Sequence, residues 1–161
     1  MPNPETSGTG YTFLACLYQQ LGKSEYKDFI KKLKNNISSY TVSGFNSIQR
    51  VSSGEYAVTV DFLGDQLIYK KSNPNIMSIT PKNTGWNVDS IAEINNCSNK
   101  KVAEAFIDFI LSDNTANNLS VVSKAISTKK TNDITQNIYE GYSFKKAALE
   151  RNNIMNIFNN N

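Results

Sequence analysis

The residues best suited to chemistry stand near the start of the chain, where residues 6–11 read TSGTGY. Ser7 and Thr9 carry hydroxyl groups, Gly8 lets a ligand approach the backbone, and an apolar run at 13–17 predicts that a helix begins here. The first N–H groups of a helix have no partner within it, and the helix dipole places partial positive charge at this end. The turn therefore predicts a site for a small oxyanion such as phosphate, phosphonate, sulfate or carboxylate, although an ordinary N-cap accounts for the same residues equally well.

Two further turns have a similar character. Ser43 and Gly44 precede a predicted short helix at 46–53, and Asp61 ends an alternating, β-rich segment at 55–61. In an open α/β sheet, ligands lie beyond the carboxyl ends of the strands. We therefore expect these two turns to converge with the first one.

The composition excludes several kinds of catalytic and metal site. The chain has no histidine, which excludes Ser-His-Asp and Cys-His nucleophiles and His-ligated zinc or iron. Cys16 and Cys97 are too few for a zinc knuckle, and the sequence leaves open whether they are free or paired. Tyr11 stands where a P-loop needs its lysine. We expect no catalytic residue, no metal ligand and no cofactor; the alternative of an enzyme acting on a phosphorylated metabolite stays open.

Charge and length limit the partners and the number of domains. The net charge is only +3, and the lysine pairs are scattered without an interleaved aromatic patch, so no nucleic-acid partner is expected. The 161 residues fit one domain. No apolar run is long enough to span a membrane, no signal peptide is recognisable, and the abrupt start predicts an excised fragment.

Hydrophobic periodicity predicts helices and strands in alternation. Helices are predicted at 9–21, 25–34, 46–53, 65–71, 100–111, 113–123 and 144–158, with glycines at 22 and 54 as stops. Strands are predicted at 37–42, 55–61 and 76–80, followed by an extended stretch at 84–94. This alternation predicts an α/β fold.

The order of the motifs resembles that of a known family. Residues 3–11, NPETSGTGY, look like the signature that opens the second lobe of bacterial ABC-transporter solute-binding proteins of the iron(III) and 2-aminoethylphosphonate group. Similar segments follow at 40–44 (YTVSG), at 51–58 (VSSGEYAV) and at 103–112 (AEAFIDFILS). Tyr142, Ala147, residues 150–152 and Phe158 resemble the family's C-terminal helix.

This resemblance implies a type 2 periplasmic-binding fold, in which each lobe is a mixed sheet flanked by helices. Residues 1–161 would form a single solute-binding lobe with C-terminal helices, without the first lobe and the export signal. The segment 91–112 would face the absent lobe, and its apolar surface would favour dimerisation of the fragment. The implied function is extracytoplasmic solute binding for ABC import, in the periplasm or lipid-anchored at the outer face of the cell membrane, with an ABC permease as partner.

The resemblance also implies roles for six ligand-binding residues, namely Ser7, Gly8, Thr9, Ser43, Gly44 and Asp61. The first three would hold the anionic group of the solute, the next two would hold a second side of it, and the aspartate would face a cationic end such as an ammonium. Iron(III) members carry adjacent tyrosines where this chain reads DFLGDQ at 61–66, so a phosphonate or an organic phosphate fits better. The alternatives are an iron(III)-binding protein with a synergistic anion and the effector-binding lobe of a transcriptional regulator.

Overall fold

A computed structural model of the chain describes residues 1–122 and 137–161, and this part is built from seven helices. They are α1 (Gly8–Lys34), α2 (Gly44–Ser52), α3 (Leu63–Ser72), α4 (Lys100–Ile110), α5 (Asp113–Val122), α6 (Phe144–Leu149) and α7 (Arg151–Asn159). The predicted helices are confirmed to within a few residues, except that the predicted helix 144–158 is divided at Glu150 into α6 and α7. Ser123, the last residue of the predicted helix 113–123, lies outside the described residues. None of the described helices is long and apolar enough to cross a membrane.

Helix α1 is interrupted at Gly22. This residue has φ 73° and ψ 171°, a conformation that is essentially restricted to glycine. The two halves on either side correspond to the predicted helices 9–21 and 25–34. A glycine that reads as a stop in the sequence therefore marks a change of direction within one long element.

The hydrophobic core lies between α1 and the two C-terminal helices α6 and α7. Leu14, Tyr26, Ile30 and Ile154 are completely buried there. The rings of Tyr18 and Tyr26 meet edge to face with their centroids 5.3 Å apart. Burial of each large side chain contributes about 1.5–3 kcal/mol, so this core is what holds the start of α1 in place.

The predicted mixed sheet is wrong. Within the described residues, β pairing is limited to two isolated parallel bridges, Pro2 with Thr41 and Thr84 with Ile138. The predicted strands 55–61 and 76–80 are irregular connections. Alternating and β-branched residues favour extended backbone locally, but a strand also needs a neighbour in register. Neither segment has one here, so the described part is helical and not a mixed α/β sheet.

Helices α4 and α5 pack on each other and present apolar side chains to solvent. Val102, Phe106 and Phe109 of α4 are all exposed. This exposure agrees with the expected apolar surface of the segment 91–112. Dimerisation through this surface stays a prediction.

Candidate functional site

The turn before α1 is fixed by its neighbours on both sides. The Ser7 N–H donates to the Asn3 carbonyl at 2.8 Å, and the Asn3 N–H donates to the Thr41 carbonyl at 2.8 Å. A Cβ on Gly10 would lie 2.6 Å from the Pro2 carbonyl oxygen, so glycine is required for this close approach. The start of α1 is therefore held beside the segment that leads into α2.

Two hydroxyl groups at the start of α1 have no hydrogen-bond partner. Ser7 is the N-cap residue, yet its side chain makes no capping hydrogen bond, and Thr9 follows in the first turn. Both residues are only 7% exposed, and neither hydroxyl is hydrogen-bonded to any part of the chain that the structure describes. Their oxygen atoms remain in contact with solvent, because the buried side-chain oxygen that lacks a partner in the described part is that of Tyr26. These hydroxyls are therefore available donors for a ligand at this helix start.

The starts of α1, α2 and α3 meet at Gly44. A Cβ on this glycine would lie 2.6 Å from Asp61 Oδ1 and 2.7 Å from Thr9 Oγ1. Asp61 immediately precedes Phe62, the N-cap of α3, and Gly44 is the first residue of α2. The expected convergence of three turns is present for these residues, but it is formed by helix starts rather than by strand ends.

Ser43 and Gly8 have different surroundings from those of Thr9, Gly44 and Asp61. The Ser43 hydroxyl is hydrogen-bonded to the Asn46 side chain and accepts a capping hydrogen bond from the Asn46 N–H at 3.4 Å. Gly8 is exposed, and nothing lies within 4 Å of the position that its Cβ would occupy. Open space next to the Gly8 backbone leaves room for a ligand, whereas the Ser43 hydroxyl is already engaged.

Asp61 is half-buried and has an elevated pKa. Its pKa is raised to about 6, mainly by burial and to a smaller extent by the nearby Asp65 carboxyl group. Three hydrogen bonds act in the opposite direction: the Phe62 N–H donates to Oδ1 at 2.7 Å, the Ser47 hydroxyl donates to Oδ2 at 3.4 Å, and the Ile48 N–H also donates to the carboxylate. The carboxyl group therefore changes its charge in the mildly acidic range.

Ser47 and Gln66 support the site and were missed by sequence reasoning. Ser47 is buried, and its hydroxyl reaches both the Asp61 carboxylate and the Val60 carbonyl. The Gln66 amide donates to the Asp61 carbonyl at 2.9 Å. Ser47 lies three residues after Gly44 on α2, and this helical spacing is a signal that could have indicated a shared face.

A separate cleft of about 370 Å³ lies beside α2, between the end of α1 and residues 56–60. Its lining includes Leu33, Arg50 and Tyr56. The Arg50 guanidinium is paired with the Glu55 carboxylate at 2.9 Å, so its charge is already balanced. The cleft shares Ser47 with the site at the helix starts.

Both cysteines are free thiols. Cys16 is buried, which raises the pKa of its thiol, and Cys97 is half-buried. Within residues 1–122 and 137–161, no three acidic, histidine or cysteine side chains are close enough to hold a metal ion.

Comparison with known proteins gives the class of protein. Residues 1–147 match the model of the bacterial extracellular solute-binding protein family, and the chain belongs to this family. It is 32% identical over 111 residues to an uncharacterized protein of Haemophilus influenzae, a match that covers 68% of this chain and 32% of the relative. The chain thus spans about a third of the length of the curated relative that it matches. No solved structure matches it.

Proposed function

We propose that the chain is the ligand-binding lobe of an extracytoplasmic solute-binding protein for ABC import, and that its solute carries an oxyanion. Membership of the extracellular solute-binding family supports capture and transport of a solute. The observation that carries the oxyanion is the pair of unpartnered hydroxyls at the start of α1, on Ser7 and Thr9, whose residues are only 7% exposed.

The oxyanion would bind at the N-terminus of α1. The Ser7 and Thr9 hydroxyls donate to its oxygens, and the open space beside Gly8 lets the anion approach the first N–H groups of the helix. Hydrogen bonds to a charged group each contribute about 1.5–3 kcal/mol, and the helix dipole adds to them. The Ser43–Gly44 backbone at the start of α2 faces the same anion from a second side.

The rest of the solute would extend towards Asp61. Its carboxylate accepts hydrogen bonds and suits an ammonium or another donor. Ferric iron favours phenolate oxygens, and residues 61–66, DFLGDQ, contain no tyrosine. A phosphonate or an organic phosphate is therefore the preferred ligand class, ahead of iron(III) with a synergistic anion.

The remaining steps belong to the complete protein. A second lobe closes over the solute, and an ABC permease recognises the closed form. Binding and release need no bond to be made or broken, so we assign no catalytic residue. The Ser7 and Thr9 hydroxyls act only as hydrogen-bond donors in this scheme.

Calorimetric titration of the full-length protein tests this proposal. The probes are 2-aminoethylphosphonate, inorganic phosphate, organic phosphate esters and ferric citrate. We expect binding of a phosphonate or phosphate compound, weakened about tenfold or more by Ser7→Ala or by Thr9→Ala, because each removes a charge-assisted hydrogen bond.

Thr6→Ala is the matched control. Thr6 lies in the same turn, is exposed, and already donates its hydroxyl hydrogen bond to the Val42 carbonyl at 3.1 Å. We expect it to leave the affinity unchanged. Equal affinities in the native protein and in the Ser7→Ala and Thr9→Ala variants would overturn the site, and binding of iron alone would overturn the ligand class.

A further inference from the structure

Asp61 occupies a place next to the anion that Thr9 would bind. We propose that Asp61 determines the charge selectivity of the site, because its carboxyl group requires one proton or one cationic group between itself and the bound anion. This inference rests on the proposed function, since it needs an anion at the start of α1.

The distances place the two groups side by side. Asp61 Oδ1 and Thr9 Oγ1 lie 2.6 Å and 2.7 Å from the same point, the position that a Cβ on Gly44 would take. The two oxygens are therefore no farther apart than the sum of these distances. An anion that accepts a hydrogen bond from Thr9 Oγ1 is brought within a few ångströms of the Asp61 carboxyl group, where two negative charges repel each other.

No described cation offsets this repulsion. The Thr9 hydroxyl of α1 lies near Asp61, and α2 contributes Gly44, the Ser47 hydroxyl and the Ile48 N–H. The charged group that acts on it from α3 is Asp65, which is also acidic. Arg50, the basic residue of α2, forms an ion pair with Glu55.

The carboxyl group can meet an anion in two ways. When ionised, Asp61 accepts a hydrogen bond, so the ligand must supply the donor as an ammonium, a hydroxyl or a protonated phosphate oxygen. When protonated, its own O–H donates to a fully ionised anion. Burial raises the pKa of Asp61 to about 6, so both forms exist within the range of ordinary buffers.

The test compares two probes that differ in whether they carry a donor. Sulfate keeps its charge between about pH 5 and about pH 8, so a change in its affinity reports on the protein. For the full-length protein we expect sulfate affinity to fall about a hundredfold as the pH rises over this range. Sulfate binds only to molecules in which Asp61 is protonated, and their fraction falls with rising pH. The affinity for 2-aminoethylphosphonate, whose ammonium supplies the donor, falls by much less than this.

Two variants sharpen the result. Asp61→Asn keeps a donor at the same place without charge, so its sulfate affinity stays at the low-pH value throughout. Asp65→Asn removes a neighbouring negative charge that raises the pKa of Asp61. In this variant sulfate affinity still falls as the pH rises, but the midpoint of the fall moves to lower pH.

Different results would overturn the proposed function and the proposed role of Asp61. If neither sulfate, phosphate nor 2-aminoethylphosphonate binds at any pH, the proposed function is wrong. If these anions bind and sulfate affinity in the native protein does not depend on pH, or depends on it equally in Asp61→Asn, the role of Asp61 is overturned while the anion site stands. The pH profile of the native protein decides this even where a variant fails to fold.

Discussion

Gly44 is the residue on which the geometry of the candidate site depends most directly. A methyl group there would lie 2.6 Å from Asp61 Oδ1 and 2.7 Å from Thr9 Oγ1. Both atoms are the ends of side chains, so they can rotate away, but they then leave their positions around the ligand.

Gly44→Ala should therefore affect ligand binding more than folding. We expect the free energy of unfolding to fall by about 1 kcal/mol, and the affinity for the oxyanion to fall about tenfold or more. Urea unfolding and calorimetry measure the two effects. Gly8→Ala is the control for stability, because its methyl group would enter open space. Unchanged affinity in Gly44→Ala would contradict the convergence of Thr9 and Asp61 on the ligand.

Asp61 should make the folded state less stable as the pH rises. Its pKa is about 6 in the folded protein and 3.8 as a free group, so the folded protein binds the proton more tightly. The contribution of this group to stability is fully present below about pH 4 and is lost as the pH rises through about 6.

Asp61→Asn should remove this part of the pH dependence and raise the stability at neutral pH. Urea unfolding at several values between about pH 4 and about pH 7 measures the difference from the native protein. Asp108→Asn, at an exposed position on α4, is the matched control. A native and an Asp61→Asn profile of the same shape would show that the carboxyl group is not buried in the folded state.

At the scale of the elements, the break in α1 makes a specific prediction about Gly22. Its φ of 73° with ψ of 171° is unfavourable for any residue with a side chain. Gly22→Ala should lower the free energy of unfolding by about 1–3 kcal/mol, whereas Lys23→Ala at the exposed next position should be nearly neutral. Thermal unfolding checks both. A stabilising Gly22→Ala would mean that α1 is continuous.

The helices could be predicted from the sequence because their determinants are local. The apolar spacing of residues 9–21 and 25–34 and the glycine between them are enough to define the two halves of α1. The absence of regular strands at 55–61 and 76–80 could not be predicted in the same way. Alternation indicates an extended backbone, but it cannot show whether a neighbouring strand exists. An isolated bridge such as that between Pro2 and Thr41 does not extend into a sheet.

The candidate site was predictable only in part. Glycine and hydroxyl motifs pointed to Thr9, Gly44 and Asp61, which the chain brings together. They could not show that Asn46 engages the Ser43 hydroxyl, because hydroxyl groups have several nearby partners in a helix start. Nor could they show that Ser47 supports Asp61, because this depends on the packing of α2 against the segment before α3.

At the scale of the whole described part, stability should reside in one of three helix groups. Helices α1, α6 and α7 form the core, α2 packs with α3, and α4 packs with α5. Ile154 of α7 is 0% exposed, whereas Phe106 of α4 is 56% exposed.

Ile154→Ala should lower the free energy of unfolding by about 2–5 kcal/mol, and Phe106→Ser should change it by less than about 0.5 kcal/mol. Urea unfolding measures both, and sedimentation of the two variants tests whether the exposed face supports a dimer. An equal loss of stability in the two variants would show that α4 is covered in solution.

The isolated chain should bind its solute more weakly than the full-length protein. The curated relative is about three times as long as the matched segment, and its remaining residues can supply further contacts and exclude water. We expect at least a tenfold loss of affinity by calorimetry. Equal affinity would show that this part alone forms the complete site.

The position of Trp86 has a consequence for spectroscopy. It is the one tryptophan of the chain, its indole N–H donates to the Tyr139 carbonyl at 3.1 Å, and its ring lies against Phe144 with the centroids 4.9 Å apart. Its fluorescence therefore reports on the docking of α6 beside α1, whereas circular dichroism averages over every helix. If the helix groups melt separately, the emission and ellipticity curves will have different midpoints, and the emission curve will follow the core.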